Sequence, residues 1–224
     1  LSRWGLQPDS SAGEPLANTP VGRFLLDVLA LLETPHDPVR LLSLLGHPWC
    51  RFADHFGRYG LEKGALRGAA PASIDSITHR LVTPNHEGRV DEAATDLWEQ
   101  YLALIEPAQD FAFTDLGRSV ARIVTLAESL AADDGQILWS GAPGLQASEL
   151  LAELIRESAG FPVSGAREVG DILRHLINQG KVRTGGNTHP RLLILGAIEA
   201  RLVKADRLIL AGLEEGIWPQ APAL

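Results

Sequence analysis

The sequence predicts an α/β chain that is predominantly helical. Apolar side chains recur at helical spacing over much of residues 19–178, whereas two short runs near the carboxyl end, 192–195 and 208–211, are almost entirely apolar. Gly196 and Gly212 follow these two runs directly. Short apolar runs that end at a glycine favour strands buried on both faces over helix. We therefore expect the two runs to be neighbouring strands of one sheet.

Length and composition limit the class of protein. A chain of 224 residues can form one large or two small domains, and its 45% apolar and 21% charged content is that of an ordinary globular protein. The single Cys50 excludes an internal disulfide framework and a multi-cysteine metal or iron–sulfur site. No apolar run reaches the roughly 20 residues of a membrane span, so we expect no membrane partner and a cytoplasmic protein. The chain has no methionine, and we expect more sequence on both sides of it.

Two helices are predicted near the amino end, after a leading loop. Thr19-Pro20 and Asp37-Pro38 each combine a capping side chain with proline at the first helical position. Gly46 is a stop signal for the second helix. The predicted buried residues are Phe24, Leu25, Val28, Leu29 and Leu32 in the first helix, and Val39, Leu41, Leu42 and Leu45 in the second.

Between residues 51 and 180 the pattern is again mostly helical. The predicted helices are 73–82, 91–105, 114–131, 145–158 and 166–178, with Thr114 as the cap of the third. Residues 84–90 are expected to form a turn that exposes His86. Residues 182–188 contain Gly185 and Gly186, and we expect them to be the hinge between the helical part and the strands.

The sequence contains no arrangement that we expect to be catalytic. His47, Cys50, Asp54 and His55 lie close together, but their spacing fits no zinc pattern with four ligands. Residues 140–144, Ser-Gly-Ala-Pro-Gly, lack the Lys-Ser/Thr pair of a phosphate loop. The acidic residues form no spaced set for two metals. We expect this chain to bind neither cofactor nor metal.

The charge distribution separates two parts of the chain. The net charge of −8 argues against a free-standing nucleic-acid binder. Residues 167–207, however, carry eight basic and four acidic side chains, whereas residues 1–166 carry 12 basic and 22 acidic ones. Positive charge is therefore concentrated where a phosphate backbone could be bound locally. The alternative is that these cations only decorate solvated helix faces.

Three sub-motifs follow one another near the carboxyl end. They are His-Pro-Arg at 189–191, Gly-x-x-Glu-Ala-Arg-Leu at 196–202 and Gly-Leu-x-Glu-Gly-x-Trp-Pro at 212–219. In this order and spacing they resemble the AddB-type subunits of bacterial helicase–nuclease complexes, and more distantly motif V of UvrD-like helicases. Residues 37–48, with Leu-Leu-x-Leu-Leu-x-His-Pro at their end, give a weaker second match to the AddB family.

The resemblance implies a particular division of the chain. Residues 1–50 would be the amino-terminal part of a second RecA-like helicase domain with few parallel strands. Residues 51–186 would be a helical insertion, and residues 187–224 would return to the RecA-like domain as its motif V-like region.

The function implied by the resemblance is double-strand break repair. The AddB-like parent would resect DNA ends for recombination together with an AddA-type helicase–nuclease subunit, and would engage single- and double-stranded DNA ends. ATP and Mg²⁺ would belong to the full-length complex. The residues that we expect to contact DNA are His189, Arg191, Glu199 and Arg201, with the alternative that Glu199 and Arg201 only pair with neighbouring domains. Glu214, Glu215 and Trp218 are expected to shape the closing turn.

Two other functions remain open at this point. The Thr, His and Lys groups that motif V of active helicases carries before its Glu are absent from 196–202, which argues against a motor. An ATP-dependent UvrD-like helicase nevertheless remains possible if its phosphate loop lies elsewhere in the parent. The other alternative is a purely structural domain that binds only protein.

Overall fold

The computed structural model describes residues 2–4, 9–10, 13–84, 88–182, 189 and 192–211. Two compact units are present: Gly13–Asn187 form the larger one, and Leu1–Ala12 with Thr188–Leu224 form the smaller one. The described part of the chain is predominantly helical, as the sequence predicts.

The larger unit is a helical assembly. Its α-helices are α1 (Pro20–Glu33), α2 (Pro38–Leu45), α3 (Gly57–Leu61), α4 (Ile74–Val82), α5 (Glu92–Gln109), α6 (Leu116–Leu130), α7 (Gly141–Glu157) and α8 (Ala166–Gln179). A π-helical turn, Glu62–Leu66, continues directly from α3. Short 3-10 turns at Leu16–Asn18 and Asp133–Trp139 precede α1 and α7.

Helix α1 is the centre of this unit. It contacts α2, α5, α6, α7 and α8, and its side chains are buried on nearly every side. A helix that is apolar around most of its circumference is stable only when other elements cover it. The predicted stripe from Phe24 to Leu32 is buried, so that prediction is confirmed.

The amino-terminal caps of α1 and α2 follow the sequence signals. The Thr19 hydroxyl accepts a hydrogen bond from the Gly22 N–H at 3.2 Å and donates one to the Leu16 carbonyl at 2.6 Å. The Asp37 carboxylate accepts from the N–H groups of Val39 and Arg40 at 2.9 and 3.0 Å. Both side chains satisfy backbone donors that a helix start leaves unpaired.

One buried position predicted in α2 is wrong. Val39 is 72% exposed, whereas Leu41, Leu44 and Leu45 are fully buried. Val39 lies two residues before Leu41, which is about 200° around a helix, so it faces away from the buried stripe. The predicted position Leu42 is partly buried.

The cap predicted for α6 is off by one residue. Asp115, not Thr114, is the N-cap, and its carboxylate accepts from the Arg118 N–H at 2.8 Å. The second carboxylate oxygen accepts from the Gly160 N–H at 2.6 Å, beyond the end of α7. Asp115 therefore links two parts of the unit that are distant in sequence. The other predicted helices are present, with ends shifted by up to four residues.

A two-stranded antiparallel pair closes the larger unit. Strand β2 (Glu14–Pro15) pairs with β3 (Lys181–Val182), with Glu14 opposite Val182. The Leu16 N–H also donates to the Gly180 carbonyl at 2.7 Å. The chain thus enters and leaves the helical assembly at the same place. Residues 183–188 of the predicted hinge lie outside the described residues, as does His86.

The predicted RecA-like domain remains a prediction. Helices α1 and α2, which the resemblance assigns to that domain, belong to the same compact unit as α3 to α8. The observed units therefore divide the chain near residues 12 and 188, whereas the resemblance divides it near 50 and 187.

The smaller unit contains a parallel strand pair. Strand β1 (Asp9–Ser10) lies beside β4 (Leu193–Ile194), with Asp9 opposite Leu193 and Ser10 opposite Ile194. Helix α9 (Ala197–Ala200) follows β4. Strand structure in the run 192–195 is thus confirmed at its two central residues. The expected burial on both faces is wrong, because Leu193 and Ile194 are 53% and 47% exposed.

The expected second strand at 208–211 is wrong, as is its pairing with 192–195. Residues 208–211 form no strand, and the side chains of Leu208, Ile209 and Leu210 are exposed. An apolar run becomes a buried strand only when neighbouring strands satisfy its backbone and layers cover its faces. Within residues 192–211 the only strand pairing is that of β4 with β1.

Candidate nucleic-acid-binding region

The candidate region begins where β4 ends. The chain passes through Leu195 and Gly196 and then forms the single turn of α9. The Ala200 N–H donates to the Gly196 carbonyl at 2.9 Å, and the Leu202 N–H donates to the Glu199 carbonyl at 3.0 Å. The charged connection expected between the two apolar runs is therefore a compact helical turn followed by an exposed segment without regular secondary structure.

Glu199 has a local role in this turn. A Cβ atom placed on Gly196 would collide with the Glu199 carboxylate, so that carboxylate lies over the backbone at the start of α9. A negative group at this position is favoured by the partial positive charge of the first helical N–H groups. The geometry therefore gives Glu199 a structural role in the turn, which differs both from the expected DNA contact and from the alternative of pairing with a neighbouring domain. An anion there would also repel phosphate.

Arg201 lies at the opposite end of the same turn. It is the C-cap residue of α9, and its side chain is exposed. No hydrogen bond or ion pair within the described ranges engages its guanidinium.

Two further cations accompany Arg201. Lys204 and Arg207 follow at intervals of three residues, and both are exposed. We call these three residues the cationic segment. Residues 192–211 contain only two acidic side chains, Glu199 and Asp206, so this region is locally positive in a chain of net charge −8. Lys204 and Arg207 lie outside the motifs from which the contact residues were predicted, although the regular spacing of basic residues at 201, 204 and 207 is a signal in the sequence.

Of the other two predicted contact residues, the structure describes only His189. His189 is exposed, and its carbonyl accepts from the Leu192 N–H at 3.0 Å. Arg191 lies outside the described residues, as do Glu214, Glu215 and Trp218. The structure therefore brings Glu199 and Arg201 to the two ends of one helical turn, and the roles of His189 and Arg191 stay predictions.

The cluster around Cys50 has a structural explanation. The His47 ring packs edge-on against Phe24 and Trp49, with centroids 5.2 and 5.9 Å away, and its Nδ1 accepts from the Trp49 N–H at 3.2 Å. Burial lowers the pKa of His47, with Asp27 opposing the shift, and burial raises the pKa of the Cys50 thiol to about 11. These values favour an uncharged imidazole and an unreactive thiol at neutral pH.

The segment that resembles a phosphate loop also packs structurally. Gly144 lies so close to the backbone of Leu138 and Trp139 that a Cβ atom there would overlap it. Gly141 has a φ of 67°, in the left-handed region that glycine adopts easily. The two glycines thus serve the entry into α7 and its close contact with the preceding turn.

The described residues carry no grouped metal ligands and no membrane-spanning helix. Among them, no three His, Cys, Asp or Glu side chains are grouped so that they could hold a metal ion. No helix in the described ranges is both long enough and apolar enough to cross a bilayer.

No protein-family model matches this chain, and no curated protein matches it.

Proposed function

We propose that this chain is part of an AddB-like subunit of a DNA helicase–nuclease complex that resects double-strand breaks for recombinational repair. In this proposal the chain guides DNA and takes part in subunit assembly, and it holds no catalytic centre. ATP and Mg²⁺ act elsewhere in the complex, with an AddA-type partner, in the cytoplasm. The order and spacing of the three sub-motifs at 189–219 support the family assignment.

The observation that carries the proposal is the exposed cationic segment. Arg201, Lys204 and Arg207 follow a parallel strand pair, β1 with β4, in the region where the chain is locally positive. Open α/β sheets bind their ligands beyond the carboxyl ends of parallel strands. Exposed cations at such a place provide the sequence-independent attraction for phosphates that DNA guidance requires.

The proposal also includes the RecA-like domain that the resemblance implies. A parallel pair followed by a short turn fits the motif V-like region of a RecA-like domain. The exposed apolar side chains of 208–210 fit a segment that another layer of that domain covers.

Charge reversal in the cationic segment tests the proposal. Arg201→Glu replaces an attraction for phosphate by a repulsion, and we expect it to weaken binding of the chain to single- and double-stranded DNA at least tenfold, an energy of about 1.4 kcal/mol. Arg167→Glu is the matched control, because Arg167 is an exposed cation at the start of α8, where an acidic residue is well tolerated. Equal binding by both variants would contradict a DNA-guiding role for the segment.

A second candidate is a domain that binds only protein. It is favoured by the exposed apolar side chains that follow α9, Leu202, Val203, Leu208, Ile209 and Leu210. Exposed apolar groups at this density mark surfaces that another chain covers. This alternative predicts that Leu202→Asp abolishes binding of the parent to its AddA-type partner, while Arg201→Glu leaves DNA affinity unchanged.

A further inference from the structure

A second cluster of exposed side chains lies in the larger unit. Phe56 is 86% exposed and Tyr59 is 65% exposed, although both carry large aromatic rings. His55 directly precedes them and is partly buried. We call these three rings the aromatic platform. It is separate from the cationic segment, which belongs to the smaller unit.

His55 attaches the platform to α5. The His55 and Phe56 ring centroids are 5.6 Å apart, with their planes tilted by 40°. His55 Nδ1 accepts from the Gly57 N–H at 3.1 Å, and its Nε2 lies 3.5 Å from the Asp96 carboxylate on α5. Gly57 lies directly against the backbone at Ala93, where a Cβ atom would overlap it. The His55 ring is therefore held against α5, and the side chains of Phe56 and Tyr59 beside it are exposed.

An open groove of about 420 Å³ adjoins the rings. The platform forms part of its wall, together with Leu42, Ala53, Asp54, Arg58 and Glu62. Arg58 is anchored there, because its Nη1 donates to the carbonyls of Leu45 and Ala53. The wall thus combines flat rings with hydrogen-bonding groups, which is the composition that recognises a planar polar ring better than an aliphatic side chain.

Cations border the platform. Lys63 Nζ lies 6.0 Å from the Tyr59 ring centroid. Arg67 donates two hydrogen bonds to the Glu62 carboxylate, at 3.0 and 2.7 Å, so the charge of this acidic wall residue is compensated. Arg58 and Arg67 are engaged in hydrogen bonds, so Lys63 is the cation beside the rings that can contact a phosphate, in a wall that also contains Asp54.

We propose that the aromatic platform binds single-stranded nucleic acid by stacking unpaired bases on Phe56 and Tyr59, with Lys63 bound to a neighbouring phosphate. Stacking needs base faces that a duplex does not offer, so the site discriminates single strands from duplexes. The inference goes beyond the proposed function, because it concerns a different unit and requires no resemblance to AddB.

The test uses the full chain and a fluorescein-labelled oligothymidylate of about 15 nucleotides, within the site size of known single-strand binders. Anisotropy gives the dissociation constant. Loss of one stacking ring weakens binding by about 5- to 150-fold, and we expect Phe56→Ala and Tyr59→Ala each to fall in this range. Phe56→Leu keeps an apolar side chain without a ring and should also lose affinity, whereas Phe56→Trp should retain it.

Controls separate stacking from other effects. Phe161 is 55% exposed at a different place in the larger unit, and Phe161→Ala should bind the oligonucleotide like the wild type. Unchanged melting temperatures show that each variant is folded. The proposal is overturned if the wild-type chain does not bind the oligonucleotide at all, if Phe56→Ala and Tyr59→Ala lose no affinity for it, or if these variants lose as much affinity for a duplex of the same length. If Phe56→Leu binds like the wild type, the contact is merely apolar and the stacking claim fails.

The outcomes also distinguish this proposal from the function proposed above. If Phe56→Ala and Tyr59→Ala bind DNA like the wild type but Arg201→Glu loses affinity, the cationic segment is the DNA site. If the two ring variants lose affinity but Arg201→Glu does not, the platform is the site, and the AddB-like role of the smaller unit loses its support.

Discussion

Replacing Asp115 tests how the larger unit is held together. One carboxylate oxygen caps α6 by accepting from the Arg118 N–H, and the other accepts from the Gly160 N–H after α7. Loss of an N-cap costs about 1 kcal/mol, and loss of a hydrogen bond to a charged group costs about 1.5–3 kcal/mol. We therefore expect Asp115→Ala to lower the free energy of unfolding by about 2.5–4 kcal/mol.

Two companion variants make this prediction specific. Thr114 is exposed and makes only backbone hydrogen bonds, so Thr114→Ala should change stability by less than about 0.5 kcal/mol. Asp115→Asn can keep the cap but has one acceptor oxygen fewer, so its loss of stability should lie between those of Asp115→Ala and Thr114→Ala. Urea unfolding followed by circular dichroism gives the free energy of unfolding of each variant. If Asp115→Ala costs no more than Thr114→Ala, the proposed link between α6 and the Gly160 turn is refuted.

Three further predictions concern groups in the core. The Tyr101 hydroxyl is buried without a hydrogen-bond partner in the described part of the chain, so Tyr101→Phe should raise the free energy of unfolding by about 1 kcal/mol in a urea titration, and a decrease would contradict this. The pKa of His47 is lowered in the folded state. Its contribution to the free energy of unfolding is therefore complete above about pH 6.5, the pKa of an unfolded histidine, and is lost as the pH falls through the pKa of the folded state. His47→Gln should therefore flatten the acid side of the stability–pH curve, and an unchanged curve would refute the assignment. The Cys50 thiol has a pKa of about 11, so at pH 8 a thiol reagent should label the folded chain roughly 200-fold more slowly than the urea-unfolded chain, while equal rates would show that the thiol is accessible.

Much of the helical part could be predicted because its signals are local. Thr19-Pro20 and Asp37-Pro38 combine a cap with proline at the first helical position, and both caps form as expected. The stripe of α1 is buried because its apolar residues repeat over four turns. The eight residues of α2 give too short a pattern to place Val39, which lies opposite the buried face.

Other features depend on contacts that the local sequence does not contain. Thr114 and Asp115 are both good capping residues, and the choice of Asp115 is accompanied by its second bond to Gly160, 45 residues later. The run 208–211 has the composition of a buried strand, but a strand also needs a partner and covering layers. No local pattern indicates that Phe56 and Tyr59, at the start of α3 and within it, remain exposed, whereas Phe52 in the preceding loop is buried.

The candidate site was predicted in part. Arg201 was selected from its motif and is exposed, whereas Glu199 folds back over Gly196 and serves the turn. Lys204 and Arg207 were not selected because they lie outside the motif that carries the resemblance. Lys204 and Arg207 are candidate phosphate contacts because their side chains are exposed, and exposure depends on the fold.

The salt dependence of DNA binding tests the central claim most directly. For single-stranded DNA, each phosphate contact contributes about 0.7 to the slope of log affinity against log salt concentration. Removing all three cations, in the variant Arg201→Ala/Lys204→Ala/Arg207→Ala, should therefore reduce the slope by about 2, whereas Arg167→Ala should leave it unchanged. A triple variant with the wild-type slope would show that the cationic segment does not bind the phosphate backbone.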